Sequence, residues 1–588
     1  MNYHLIIILV CFLATREGYS QDKISEARRE IGLFNYSKAA AILQPLASAS
    51  GSKTKQEAAL LLAGCYRMLN DLANAKIWYK NALENDNHRL HVSIQPVDWY
   101  YYAQAARSCG EYTLAKSLFL HFDSLVPSDG RGRRFAGFCD SALAWQTAKP
   151  DFTVRNLGTL NSPQSDFGAV LYKDGVIFVS DRVGKKEPGK TYGWTGNSYL
   201  RLYMAKPLVK DSLAGAYAEP GTLPDIPGHE WHEGPVSFNH DFSELFITRT
   251  LASHDKGKKE TGNVRTHLLK IFISVRENGQ WQEPIPFFLN SDDYSVGHPS
   301  LSPDGHTLYF VSDMKGGMGE TDIWYCTREG DHWSEPHNPG TAVNTPGKEM
   351  FPFAAPNGDL YFASDGWPGF GGLDIFVSHK TNDHRTTARN LGQSVNSSGD
   401  DFSMAVYDSA GNGFFSSNRP GGLGSDDIYA VLKIPPGYPA PPPPPANNKH
   451  PCLAVTLTPI PDTLVVDKPY RLPTIFYNFD KWDIREDAKK PLDQLVALMK
   501  KYPITIELGS HTDCRGSESY NLLLSQKRAE SAVRYIISQG IASERIIAKG
   551  YGETQPANAC NCAPGVRCSE AEHQFNRRTE FTVKKITN

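Results

Sequence analysis

Along the chain the spacing of apolar residues changes several times. Behind an opening apolar run, Leu5 to Ala14, residues 21–150 carry small and apolar side chains at helical spacing and predict paired helices. From about 151 to 433 the period falls to two. Runs such as Leu308-Tyr309-Phe310-Val311 and Leu360-Tyr361-Phe362-Ala363 sit between turn residues and predict strands. Residues 434–468 are proline-rich, with Pro441 to Pro445 unbroken, and predict an extended polyproline spacer. From 469 to 588 strand and helix alternate. Thr474 to Phe479 reads as a strand, and Leu492, Leu495, Leu498 and Met499 mark a helix that Pro491 either opens or kinks. Ile504 to Leu508 is the next strand. Ser517 can cap a helix carrying Leu522, Leu523, Ala529, Val533 and Ile536, and Arg545 to Lys549 is a third strand.

Internal repeats sharpen the first two regions. Phe34 to Ala39, Asn70 to Ala75 and Gly110 to Ala115 mark one inter-helix turn three times, with Ala39, Ala75 and Ala115 spaced 36 and 40 residues apart. Ala63, Tyr66, Tyr79 and Ala82 accompany the second copy, and Trp99, Ala103, Phe119 and Pro127 the third. Small residues let paired helices approach and aromatics fill the gap, so residues 21–150 resemble tetratricopeptide (TPR) repeats. In residues 151–433 a second unit recurs. It runs from Ser302-Pro303-Asp304-Gly305 through Phe310-Val311-Ser312-Asp313 to Gly316-Gly317 and Asp322-Ile323-Trp324-Tyr325, and returns around Asp174, Phe242, Asp365 and Asn418. Trp281-Gln282-Glu283-Pro284 and Trp333-Ser334-Glu335-Pro336 recur between units. This resembles the WD40-like (PD40) repeats of TolB-type β-propellers. Five copies imply five blades, or six if residues 151–160 contribute a partial one. The expected fold is therefore multidomain: TPR-like all-α repeats, an all-β propeller, and an α/β C-terminal domain.

Length and charge agree with this division. A chain of 588 residues exceeds what one hydrophobic core organises. A formal net charge of −3 without long runs of one sign gives no footing for nucleic acid. The run at Leu5 is too short to span a bilayer, and Gly18-Tyr19-Ser20 places small residues for cleavage before Gln21, so residues 1–20 read as an export signal. The start of that signal lacks Lys and Arg. Cys11 follows Val10, where lipidation favours a small residue, so plain export is expected. No other segment is long and apolar enough to cross a bilayer as a helix. Among the 10 cysteines, Cys65, Cys109 and Cys139 fall in helical patterns and are expected as buried thiols. Cys514, Cys560, Cys562 and Cys568 cluster near the end, where an oxidising compartment permits bridges of unsettled connectivity.

The C-terminal region carries the densest chemistry. Phe476 to Asp480, Gly509 to Gly516, the pattern Asn521-x-x-Leu524-Ser525-x-x-Arg528-Ala529, Gly550-Tyr551-Gly552-Glu553 and Asn576 to Phe581 are five ordered motifs. Together they resemble the OmpA-like (OmpA/MotB C-terminal) peptidoglycan-binding domains. The resemblance implies a ligand, the diaminopimelate of the peptidoglycan stem peptide, whose free end holds an ammonium beside a carboxylate. Arg528 suits the carboxylate because a guanidinium forks onto two oxygens, and Asp513 suits the ammonium. Thr512, Asn521 and Leu524 are implied as pocket lining, with Phe479, Asn576 and Arg577 in support. Cys562 and Cys568 resemble a disulfide loop of one branch of that family; Cys560 is extra and offers Cys514 an alternative partner.

Enzyme readings fare worse. His229-Glu230-Trp231-His232-Glu233 lacks the second histidine at i+4 that a zinc helix requires. No Gly-x-Ser-x-Gly elbow occurs. Asp313, Asp322, Asp365 and Asp374 repeat from unit to unit and are expected to tie turns. The expectation is a non-enzymatic, exported protein of a Gram-negative periplasm, without cofactor or metal, bound to the cell wall and associated with the outer membrane. It would bind peptidoglycan at its end and recruit envelope proteins of an outer-membrane or secretion assembly through its repeats. The alternative is a wall-anchored sensor whose propeller binds a soluble ligand such as a glycan. The missing transmembrane helix argues against a flagellar stator.

Overall fold

A computed structural model of the chain describes residues 20–49, 54–84, 94–182, 191–209, 212–223, 226, 228, 230–252, 267–381, 384–435, 469–471, 486–513, 518–555 and 576–586. The export signal, most of the proline-rich segment, His229, Phe479 with its strand, Ser517, Cys514, Cys560, Cys562 and Cys568 lie outside them. The chain divides into two compact units, residues 1–452 and 453–588.

The first unit opens with helices in series. They are α1 (20–32), α2 (Tyr36–Ser48), α3 (Lys55–Met68), α4 (Leu72–Leu83), α5 (Pro96–Ser108), α6 (Tyr112–Leu125) and α7 (Arg131–Trp145). From α2 onward each packs on the next. The thrice-repeated turn has one conformation: Phe34, Asn70 and Gly110 adopt φ of 59°, 58° and 72°. A left-handed residue there reverses the chain in two or three residues, which glycine does freely and asparagine with little strain. Behind it Ala39, Ala75 and Ala115 are fully buried, and Tyr79 and Phe119 fill the space between helix pairs. Asp71 caps α4 by accepting from the Asn74 amide at 3.1 Å. Cys65 and Cys139 are free and buried. Cys109 is also buried but is disulfide-bonded, which corrects its assignment as a free thiol. Helical spacing reports burial and is blind to a covalent partner.

The rest of this unit is five antiparallel sheets. One strand, β1 (Phe152–Asn156), stands first. The sheets that follow are β2 (Asp166–Tyr172), β3 (Gly175–Ser180), β4 (Arg201–Ala205) and β5 (Gly221–Thr222); then β6 (Glu233–Phe238), β7 (Glu244–Ala252), β8 (His267–Glu277), β9 (Gln280–Trp281) and β10 (Ile285–Pro286). Next come β11 (Val296–Leu301), β12 (Thr307–Ser312), β13 (Asp322–Glu329) and β14 (His332–Trp333); then β15 (Glu349–Ala354), β16 (Leu360–Ser364), β17 (Asp374–Ser378) and β18 (Arg389–Asn390). The last has β19 (Asp401–Val406), β20 (Gly413–Ser417) and β21 (Asp427–Lys433), and its fourth strand is β1, paired along its length with β21, Val154 opposite Val431. Residues 151–160 therefore complete the fifth sheet, and the sixth-blade option is corrected. The first strands neighbour one another in sequence, β2 with β6, β6 with β11, β11 with β15, β15 with β19, and β19 with β2.

The repeated aspartates tie turns. Asp181, Asp313 and Asp365 each follow the second strand of a sheet and accept from the amide just before the first, Ser165, Ser295 and Lys348, at 2.8, 2.7 and 2.7 Å. Asn418 does the same for Asp400 at 2.7 Å. Asp374 accepts from the Phe370 and Gly371 amides, both at 3.0 Å, and Asp322 from the Met318 amide. A carboxylate that fastens two loop ends replaces bonds the ladder cannot supply there. The helices pack on this end of the sheets: Asn70 donates to Asp400 at 2.7 Å, the Trp194 indole donates to the Met68 carbonyl at 2.7 Å, and Phe370 joins the cluster of Tyr112, Phe119 and Phe135.

The second unit is a four-stranded mixed sheet backed by helices. Its elements are β22 (Pro469–Arg471), α8 (Glu486–Lys501), β23 (Ile504–His511), α9 (Glu518–Ser538), a 3-10 turn (Ser543–Arg545), β24 (Ile546–Gly552) and β25 (Thr579–Ile586), with strand order β22-β25-β23-β24. β23 and β24 are parallel, joined by α9, and β25 runs antiparallel to β23. Pro491 does not open α8; it lies five residues inside it. Leu492, Leu495, Met499, Ile506, Leu508, Ala532, Ile536 and Val583 form the core.

Candidate functional site

The site residues gather where β23 ends and α9 begins. The register of β23 between β24 and β25 carries it to His511, so Thr512 and Asp513 leave the sheet at its carboxyl edge, both buried. In a parallel β-α-β unit, side chains at that edge face whatever the helix brings. Asn521, Ser525, Arg528 and Ala532 share one face of α9, at i, i+4, i+7 and i+11, and all are buried against the sheet. Leu524 is half-buried on the same helix.

Glycines set the closeness of this packing. A side chain on Gly550 would put its first carbon 2.2 Å from the Gln526 amide nitrogen and 2.6 Å from Ser525 Oγ. Gly552, at φ 54°, donates to Ser525 Oγ at 2.8 Å. The Gly-Tyr-Gly-Glu motif thus lets α9 rest on β24 backbone to backbone, which holds Asn521 and Arg528 near the strand ends.

Two acids, an amide and a guanidinium are linked there. The Asn521 amide donates to the Asp513 carbonyl at 3.1 Å and also to the Glu553 carboxylate. The Asp513 carboxylate pairs with Arg577, which arrives from the segment before β25. Arg528 lies two turns beyond Asn521, about 10 Å along the helix. Helical side chains lean toward the N terminus, so its guanidinium is inclined toward the Asp513 end. Asn576 is buried beside Arg577 in sequence. Thr512 donates its backbone amide to the Gly552 carbonyl at 2.9 Å, while its hydroxyl oxygen is buried with no hydrogen-bond partner among the described residues. Such an orphan costs roughly 1–3 kcal/mol unless something else satisfies it.

Under this rim lies a second polar layer. His511 stacks flat on Tyr551, centroids 4.9 Å apart, and its Nε2 lies 3.2 Å from Glu580. Burial alone would raise the Glu580 carboxyl, but the His511 hydrogen bond and the Arg578 charge outweigh it and hold it down at about 2. Glu553, His511 and Glu580 escaped the sequence-based assignment. All three stood inside the quoted motifs without a role, because the pairing of His511 with Glu580 joins two motifs far apart in sequence and leaves no spacing signal.

Residues 476–567 match the model of the OmpA family. The chain is 37% identical over 111 residues to a photosystem I P700 chlorophyll a apoprotein A2 of Gloeobacter violaceus, covering 19% of this chain and 13% of that one. It is 36% identical over 143 residues to outer membrane protein A of Citrobacter freundii, covering 22% and 58%. Less than two thirds of either relative is spanned. Among solved structures, the peptidoglycan-associated lipoprotein of Burkholderia pseudomallei is similar at 27% identity and a TM-score of 0.17, covering 19% of this chain and 88% of that one. The C-terminal unit is thus OmpA-like. Among the described residues, no helix is long and apolar enough to cross a membrane.

Proposed function

We propose that this protein is a non-enzymatic scaffold of the cell envelope, held to peptidoglycan by its C-terminal unit. The observation that carries the reading is the Asp513–Arg577 pair beside Asn521 and Glu553, next to a Thr512 hydroxyl that is buried without a hydrogen-bond partner among the described residues, with Arg528 on the buried face of α9. A diaminopimelate end group brings an ammonium and a carboxylate on one carbon. Asp513 receives the ammonium, the Arg528 fork receives the carboxylate, and Thr512 completes its hydrogen bonds on the ligand. Arg577 steadies Asp513, and Asn521 fixes the strand end. Charge-assisted bonds contribute roughly 1.5–3 kcal/mol each, so single sites bind weakly and a polymeric wall multiplies them.

The first unit supplies the partners' surface. We read its helices as TPR-like repeats, supported by the common left-handed turn, and its five sheets as blades of a propeller, supported by the β1–β21 pairing and the neighbour order of the first strands. Envelope proteins of an outer-membrane or secretion assembly are the partners this arrangement suits, in the periplasm. The test is co-sedimentation of the intact chain with purified sacculi, with free diaminopimelate as competitor. Retention in the pellet that the competitor releases supports the reading; a supernatant protein at all wall concentrations rejects it.

A further inference from the structure

The five first strands share a distortion that a plain sheet does not need. In each, pairing with the second strand slips at one place: Phe167/Val170, Glu233/Val236, Gly297/Ser300, Met350/Phe353 and Phe402/Ala405. At each slip one residue adopts positive φ: Gly168 (69°), Gly234 (91°), His298 (50°), Phe351 (51°) and Ser403 (56°). Three of them are not glycine, so strain is maintained at three equivalent positions. Strain kept this way marks side chains that must be aimed somewhere particular.

They are aimed at a cavity of about 280 Å³ between the first strands. Its lining starts at the bulged residues and runs only toward the ends of those strands, away from the helices. Aromatic rings make its floor. Phe351 stacks on His298 with centroids 4.0 Å apart, and meets Phe402 at 4.9 Å and Phe167 at 6.4 Å. Hydroxyls and the imidazoles of His240 and His298 ring the wall. Ser237 and Ser300 accept from the Leu301 and Ala354 amides at 3.0 Å each, which leaves both O–H protons to be donated. The Ser403 hydroxyl has no partner among the described residues. His298 Nδ1 accepts from the Phe351 amide at 3.4 Å, so the ring proton sits on Nε2. Among the described residues, no Asp, Glu, Lys or Arg lines the cavity.

We propose that this cavity is a binding site for an uncharged pyranose, seated with its apolar C–H face on Phe351 and its hydroxyls on Ser237, Ser300, Ser403 and His298. Hydroxyl side chains both donate and accept, as sugar hydroxyls do. The volume lies just under the range that holds drug-sized ligands, which fits one ring or two. The uncharged wall discriminates against amino acids, uronates and phosphates, whose desolvated charge would be unpaired there. This site is independent of the peptidoglycan reading, since it lies in the other unit and takes no stem peptide.

Saturation-transfer NMR on the intact chain, titrated with methyl glycosides of glucose, galactose and N-acetylglucosamine, tests it. At least one of them should bind saturably, and glucuronate and glucosamine at least tenfold more weakly. Ser403→Ala, which removes a hydroxyl bonded to no other described residue, should weaken binding about tenfold with unchanged melting, and Phe351→Leu should do so more strongly. Arg528→Ala should leave it unchanged. The proposal falls if no neutral glycoside binds saturably, if the charged sugars bind equally well, or if neither cavity substitution changes binding.

Discussion

In the proposed site Arg528 and Asp513 divide one ligand between them, and substitution separates their parts. Arg528→Ala removes the fork, and pelleting with sacculi should drop at least tenfold while the melting temperature stays within a few degrees. Unchanged pelleting would sink the site. Asp513→Asn retains an oxygen that can accept from an ammonium but loses its charge, so its loss should be smaller. A second residue-scale contrast lies among the acids that open the first strands. Asp166, Glu233 and Asp401 pair with Arg182, Arg249 and Arg419. Glu349 has only hydroxyl and amide donors, Ser364 Oγ at 2.7 Å and Thr345 Oγ1 at 2.7 Å among them, and burial pushes it up to about 7. A carboxyl raised in the folded state contributes stability below its unfolded pKa, ~4.3, and loses it as pH climbs toward 7. Denaturant unfolding of the wild type should therefore weaken between pH 4 and 8, and Glu349→Gln should flatten that slope by on the order of 3 kcal/mol. Parallel slopes for the two proteins would count against it.

Elements were legible where a short period governs them. Small residues at helical spacing located the buried faces of α2 to α6, and short apolar runs between turn residues, such as Leu308 to Val311, located the second strands of the sheets. The pairing of β1 was not legible, because its partner β21 lies some 270 residues later and strand register leaves no mark at that distance. At the C-terminal site Thr512, Asp513, Asn521 and Arg528 were legible through their motifs. Their mutual placement was not, because it depends on how closely α9 approaches β24. Gly550 sets that approach, and Gly550→Ala should force the helix off the strand, lowering the melting temperature of this unit by several degrees and abolishing sacculus pelleting together. Loss of pelleting without loss of melting temperature would mean that the glycine has some other role. In the other unit Arg155→Pro removes a ladder hydrogen bond opposite Ala430 and should cost roughly 1–3 kcal/mol. Circular dichroism melts would reveal it as an early transition.

At the scale of the whole molecule the two units have separate cores, one built on clusters such as Tyr100-Phe119-Phe135 and Leu308-Phe310-Trp324, the other on Leu492-Leu508-Ile536. A cooperative transition needs shared buried surface. Scanning calorimetry of the intact chain should accordingly resolve two transitions. Arg155→Pro should lower only the one belonging to residues 1–452, and Gly550→Ala only the one belonging to residues 453–588. The same division predicts that the Arg155→Pro protein still pellets with sacculi, because a loosened first unit does not disturb Asp513 and Arg528. A single transition lowered by both substitutions would make the units one cooperative body, and loss of pelleting in the Arg155→Pro protein would move the wall contact away from the C-terminal site.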